Sequence, residues 1–206
     1  MTRKRILLVG ASGTIGRAVH HQLAESHDVV AASRSQCQLK VDLADTASIA
    51  ALFDQIEPVD AIVCTAGAGE VRPLAELTDD DYRRAIDVQL MGQINLFRQG
   101  LPRLTDGGSV TLTSGAAAQH SFPGAAAIGM ACAGLERFVA FAGEELQGVR
   151  LNVVSPIIVK ESLEQMNLPT EHGVSADDTA KAYLAAVEGS MHGARIETKP
   201  TVGGGR

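Results

Sequence analysis

"RILLVGASGTIG", residues 5–16, decides how the rest of the chain is read. A continuous apolar run closed by glycine suits a parallel strand buried on both faces, and helical spacing at Ile15, Val19 and Leu23 begins directly after it. Between strand and helix, Gly10, Gly13 and Gly16 stand at G-x-x-G-x-x-G spacing. In that setting each glycine has a task. Gly10 allows the sharp turn, Gly13 lets backbone approach a pyrophosphate, and Gly16 lets the helix pack tightly on the sheet. The unpaired N–H groups and partial positive charge of the helix N-terminus then face the phosphates. The competing reading is a merely tight turn. The start "MTRKRILLVGASG" has the basic-then-apolar order of a secretory leader, but its apolar run is short and meets Ser and Gly, so a first strand is the better reading.

Short β-branched runs alternate with helical patterns outward from this stretch. "VVAAS" (29–33), "QLKVD" (38–42), "AIVCTAG" (61–67), "SVTLTSG" (109–115), "VRLNVVSP" (149–156) and "ARIET" (194–198) read as further strands. Helices are expected over 46–56, capped near Asp45 or Thr46, from Thr78 onward with three aspartates in the first turn, over 123–147, and over 175–188. The tail "KPTVGGGR" reads as loose. Strands separated by crossover helices require a parallel sheet with right-handed connections. The expectation is one α/β domain, a Rossmann-type doubly wound parallel sheet of about seven strands over residues 1–206, with its ligand at the carboxyl ends of the strands.

Composition narrows the function. A chain of 206 residues with 45% hydrophobic and 20% charged residues has room for one well-buried core, and 3% aromatics leaves that core to Ala, Val, Leu and Ile. The net charge of −6 and the absence of a basic block beyond "RKR" argue against nucleic acid. Three cysteines without CxxC spacing suggest neither a disulfide framework nor a zinc site, so no metal is expected and a reducing, cytoplasmic setting is. The apolar stretch 125–135 is too short to span a bilayer, and no membrane partner is expected.

The end of the second strand separates the dinucleotides. An NAD site wants an acid there for the ribose hydroxyls, whereas "AASRS" places Ser33 and Arg34, and an arginine pairs with a 2′-phosphate. NADP is favoured over NAD; a solvated surface arginine is the plain alternative. Asp42 is positioned either to meet the adenine amino group or to cap a helix.

The ordered set "GASGTIG", "SR", "VDLAD", "CTAGAG", "DVQLMG", "TLTSGA" and "RLNVVSP" resembles the short-chain dehydrogenase/reductase family almost end to end. The resemblance implies an NAD(P) cofactor, a small-molecule substrate, and dimers or tetramers built on the two long central helices. It places the cofactor against Gly10, Ser12, Gly13, Thr14, Ile15, Gly16, Ser33, Arg34, Asp42, Leu43, Ala66, Gly67, Pro156 and Ile158. The family's catalytic serine matches Ser114, and its asparagine is Gln89 here. Its Tyr-x-x-x-Lys pair falls on Ile128 and Cys132 in "PGAAAIGMACAGLE", and no slip of alignment supplies either residue. A positioned acid contributes typically ~10²–10⁴-fold to reduction of a carbonyl, so the usual proton relay is missing. His120, in the loop after the fifth strand, is a candidate replacement and equally a solvated loop residue. Cys132 and Cys64 read as small buried fillers, Glu161 stands where the family has a nicotinamide-contacting threonine, and the histidines at 20, 21 and 27 sit on or beside a polar helix face. The segment 157–174 is a short lid. The expected function is an NADP(H)-dependent oxidoreductase with a degenerate tetrad; the alternatives are a non-redox NADP(H)-binding sensor or pseudoenzyme, or an isomerase or lyase.

Overall fold

The computed structural model describes residues 2–198 except 166, 168 and 172; the tail 199–206, read above as loose, lies outside the described residues. Seven parallel strands form one sheet in the order β3-β2-β1-β4-β5-β6-β7. They are β1 (Arg5–Val9), β2 (Asp28–Ser33), β3 (Leu39–Lys40), β4 (Val59–Cys64), β5 (Leu104–Thr113), β6 (Arg150–Ser155) and β7 (Ala194–Glu197). Strand order reverses between β1 and β4, whose last residues Val9 and Cys64 are register partners. A crevice opens where such a sheet splits its connections to either side.

The strand pattern explains the two faces. Leu7 and Val9 point into a core shared with Ile49, Leu52, Leu96 and Leu135, while Ile6 and Leu8 point into a second one with Val19, Leu23, Tyr183 and Val187. Helices α1 (Thr14–Ala24) and α7 (Ala176–Glu188) cover the second face. Helices α2 (Thr46–Phe53), α4 (Gln93–Gly100) and α5 (Ala126–Glu145) cover the first, and α3 (Asp79–Arg84) leads into α4. Asp45 caps α2 by accepting from the Ala47 N–H, and Ser175 caps α7 by accepting from Asp178. Thr78 and Asp81 close a reciprocal capping box at the start of α3.

Three departures from the sequence reading have local causes. The long helix begun by Thr78 is not uniformly α-helical: Ala85–Gly92 is π-helical between α3 and α4. That stretch carries Gln89, and α4 opens on Gln93; both side-chain amides reach the Thr113 carbonyl at 2.7 Å. The lid segment contains a helix, α6 (Lys160–Gln165), fastened by a Val159–Val174 bridge. His27 is buried rather than on a polar face: its Nε2 lies 3.3 Å from Glu188 at the end of α7, and its Nδ1 faces the Lys4 N–H.

Helix α5 is the one helix among the described residues long and apolar enough by composition to cross a membrane, longer than its apolar stretch alone suggested. Here Ala127, Ala131, Leu135 and Val139 repeat at i, i+4 and lie buried within the fold.

Candidate active site

At the carboxyl ends of β1, β2 and β4 lies a crevice of about 410 Å³. Gly10 sits at φ +88°, and a Cβ there would lie 2.6 Å from the Ala66 amide nitrogen. A Cβ on Gly16 would be driven into the Gly10 carbonyl, which is why α1 can come so close to β1. A Cβ on Gly13 would meet only the Gly10 carbonyl at 3.4 Å, so that position holds space open rather than avoiding the protein's own atoms. No side chain caps α1, and its first N–H groups are left for a ligand. A phosphate-bearing dinucleotide fits this cradle.

Of the residues proposed for the cofactor, Gly10, Ser12, Gly13, Ser33, Arg34, Asp42, Leu43, Ala66 and Gly67 line the crevice. Ser33 is buried, and its hydroxyl accepts from the N–H groups of Gln36 (3.0 Å) and Cys37 (2.8 Å). That turn presents Arg34, whose exposed guanidinium has no hydrogen-bond or ionic partner among the described residues. Asp42 accepts from the Ala44 N–H, and the cap of α2 is Asp45, so Asp42 is left facing the crevice. Thr14, Ile15, Gly16, Pro156 and Ile158 are not in this lining. Thr14 instead borders a separate depression with Arg17 and Glu161. The Pro156 carbonyl accepts from Ala116, and Ile158 is exposed. Glu161 accepts the Ala176 N–H on both oxygens, at 3.0 and 2.9 Å, and so anchors the start of α7.

The residues matched to the catalytic set are differently disposed. Ser114 is buried, 2.8 Å from Glu136 Oε1, to which its hydroxyl donates. Glu136 is itself buried; its Oε2 accepts from the Gln119 amide at 2.6 Å, and Arg195 Nε lies 3.8 Å away. Gln89 donates to the Thr113 carbonyl, while its amide oxygen crowds the Cα of Gly67, a contact that only glycine permits. The amide therefore braces the ends of β4 and β5. His120 is exposed, its backbone N–H bonded to the Ala116 carbonyl at 2.8 Å.

Ile128 packs over the loop after β4: a Cβ on Gly69 would lie 2.5 Å from its Cδ1. The same loop is tied to the one after β5 by the Arg72 N–H donating to Gly124 at 3.2 Å. Cys132 and Cys64 are buried, and burial pushes their thiols up to about 11 and about 12 respectively. Neither is a thiolate nucleophile near neutral pH. Sequence reasoning missed two residues. Glu136 and Arg84, which also lines the crevice, were assigned no role there.

A parallel sheet of this order with a glycine-cradled crevice at its switch point defines a dinucleotide-binding α/β protein. Residues 10–189 match the family described as enoyl-(acyl carrier protein) reductase, and the chain belongs to the short-chain dehydrogenase/reductase family of oxidoreductases, which use nicotinamide cofactors. It is 35% identical to the protein lin1944 from Listeria innocua, with a TM-score of 0.90 over 95% of this chain and 99% of that one. A small-chain dehydrogenase in complex with NADPH is 26% identical, with a TM-score of 0.84 over 95% of this chain and 96% of that one. A 3-amino-tetrahydro-pyrrolizinone reductase of Xenorhabdus hominickii is 34% identical over 134 residues, or 56% of this chain. The match spans 47% of that relative, about half its length.

Proposed function

We propose that this protein is an NADP(H)-dependent oxidoreductase of a small carbonyl or alcohol, and that its proton travels through Ser114 rather than through a tyrosine. The observation that carries the coenzyme reading is the unpaired Arg34 guanidinium at the end of β2, where an NAD site would present an acid. The N–H groups of Thr14 and Ile15 at the head of α1 are the proposed pyrophosphate donors, with Pro156 and Ile158 toward the nicotinamide end. A nicotinamide bound there supplies or accepts a hydride. The chain must then move one proton. Ser114 has already directed its hydroxyl hydrogen to Glu136, which leaves its oxygen lone pairs free to accept a proton from an alcohol as its own passes to the carboxylate. In the reducing direction the same two transfers run in reverse. His120, exposed on the loop after β5, is the alternative donor.

A second reading, a non-redox NADP(H)-binding sensor, is favoured by two features: Ile128 covers Gly69, and Gln89 is spent on Thr113. NADPH oxidation across a panel of carbonyl compounds separates the two. Turnover by the wild type that is lost in Ser114→Ala and reduced in Glu136→Gln supports the first; loss in His120→Ala instead moves the proton to the imidazole. Tight NADPH binding with no turnover anywhere on the panel selects the second. Members of the family are commonly oligomeric. Exposed Met91, Met130 and Phe141 support a homo-oligomer here, and three free cysteines support a reducing, cytoplasmic setting.

A further inference from the structure

We infer that Arg84 is the second reader of the 2′-phosphate and sets the preference for NADP(H) together with Arg34; the inference rests on the coenzyme reading above. The crevice is lined by only three charged side chains, Arg34, Arg84 and Asp42. A ribose 2′-phosphate carries close to two negative charges near neutral pH, like other phosphate monoesters. Arg34 and Asp42 by themselves would leave the lining without net charge, so Arg34 would face the dianion alone. With Arg84 the lining is net positive by one charge, and the phosphate can face two guanidiniums rather than one.

Arg84 is also kept available. The acids of the preceding turn are engaged elsewhere: Asp80 and Asp79 lie 2.8 and 3.9 Å from Arg83, and Asp81 is held by Thr78 and by Arg72 at 3.5 Å, while Asp87, three residues on, forms no ion pair with Arg84. No hydrogen bond or ion pair among the described residues holds the Arg84 guanidinium. Two arginines unpartnered among the described residues reach one crevice, from the end of β2 and the end of α3, where an anion between them would attract both. Val88, four residues further along, lines the same crevice, so this helix offers it both an apolar side chain and a charge.

Binding measures this without a known substrate. The wild type, Arg34→Ala, Arg84→Ala and Arg84→Lys are titrated with NADPH, NADH and 2′,5′-ADP, with melting temperatures as a folding control. Arg84 is exposed and unbonded, so its variants are expected to fold as the wild type does. Arg84→Ala is expected to weaken NADPH and 2′,5′-ADP about tenfold, as loss of one exposed charge-assisted contact does, and to leave NADH within about twofold. Arg84→Lys recovers part of the loss, because the charge remains while the guanidinium's planar fork is gone. An equal loss for NADPH and NADH overturns the proposal in favour of Arg84 covering the adenine, and unchanged affinity for all three overturns it outright. If the wild type itself binds NADPH no better than NADH, the coenzyme reading fails first, whatever Arg84→Ala does. If Arg34→Ala alone removes the preference, that reading stands and only Arg84 falls.

Discussion

The coenzyme crevice and the catalytic face lie side by side at the same edge of the sheet, yet they treat their polar groups in opposite ways. In the crevice, two guanidiniums, a carboxylate and the first N–H groups of α1 are left without strong internal partners. On the catalytic face, Ser114, Glu136, Gln119, Gln89 and Gln93 satisfy one another or the backbone. Groups kept unpaired at a surface await a ligand, whereas a buried network closed on itself chiefly stabilises the fold. The contrast teaches that the two regions can be tested separately, one by binding and the other by turnover. Here the groups lining the crevice are laid out in the open, whereas Ser114 is held by the carboxylate of Glu136.

The largest expected effect strikes the crevice at its root. Gly16→Ala forces a methyl group into the Gly10 carbonyl, and a loss of about 3 kcal/mol or more in chemical denaturation is expected, with NADPH binding abolished. Retention of affinity would mean that the glycine loop is not what shapes the crevice. Next in size, Glu136→Ala removes the acceptor used by Ser114 and Gln119 and is expected to cost ~1–3 kcal/mol while leaving the NADPH dissociation constant unchanged. Should affinity fall in step with stability, the two regions are coupled and the comparison breaks.

Thiol chemistry sharpens the contrast further. Burial raises the Cys132 and Cys64 thiols to about 11 and about 12, with the Glu136 charge adding to the first. Alkylation of the native protein at about pH 8 should therefore modify only the partly exposed Cys37, with the other two reacting after unfolding. Mass spectrometry of the labelled protein decides this. Rapid native labelling of Cys132 would show a catalytic face more open than its hydrogen bonds imply.

The smallest effect is a control at the opposite end of the strands. Asp60 accepts from Thr105 Oγ1 and from the Arg5 N–H, both at 2.7 Å, and these bonds hold its carboxyl below the usual carboxylate range. A depressed native pKa adds stability that is present above about pH 4, the unfolded value, and is lost as pH falls through the native one. Asp60→Asn should flatten the fall in melting temperature between neutral and acid pH slightly, and change neither nucleotide affinity nor cysteine labelling. A change in either would tie both regions to the far edge of the sheet.

Most of the fold was legible because its signals are local. Buried runs such as Arg5–Val9 and caps such as Asp45, Thr78 and Ser175 announce themselves within a few residues. The phosphate cradle was legible for the same reason, since its glycines are consecutive in sequence. Ser114 could be located but not understood, because its partner lies 22 residues further on and only the packing of α5 brings it near. Gln89 was read as a longer asparagine, whereas its fate depends on Thr113, 24 residues away. Arg84 illustrates the same limit on the binding side. Its charge was visible, but nothing nearby in sequence says that α3 ends at the crevice Arg34 also lines.

The π-helical run Ala85–Gly92 has a consequence for anyone comparing this chain with its relatives column by column. Bonds from i to i+5 hold more residues per turn than an α-helix does, so the angular phase of everything downstream is rotated. A relative whose helix is regular there would need a gap inside the run for its core positions to meet Leu96 and Phe97. An ungapped comparison would match buried side chains to solvated ones, and would set the asparagine column against a residue facing another way.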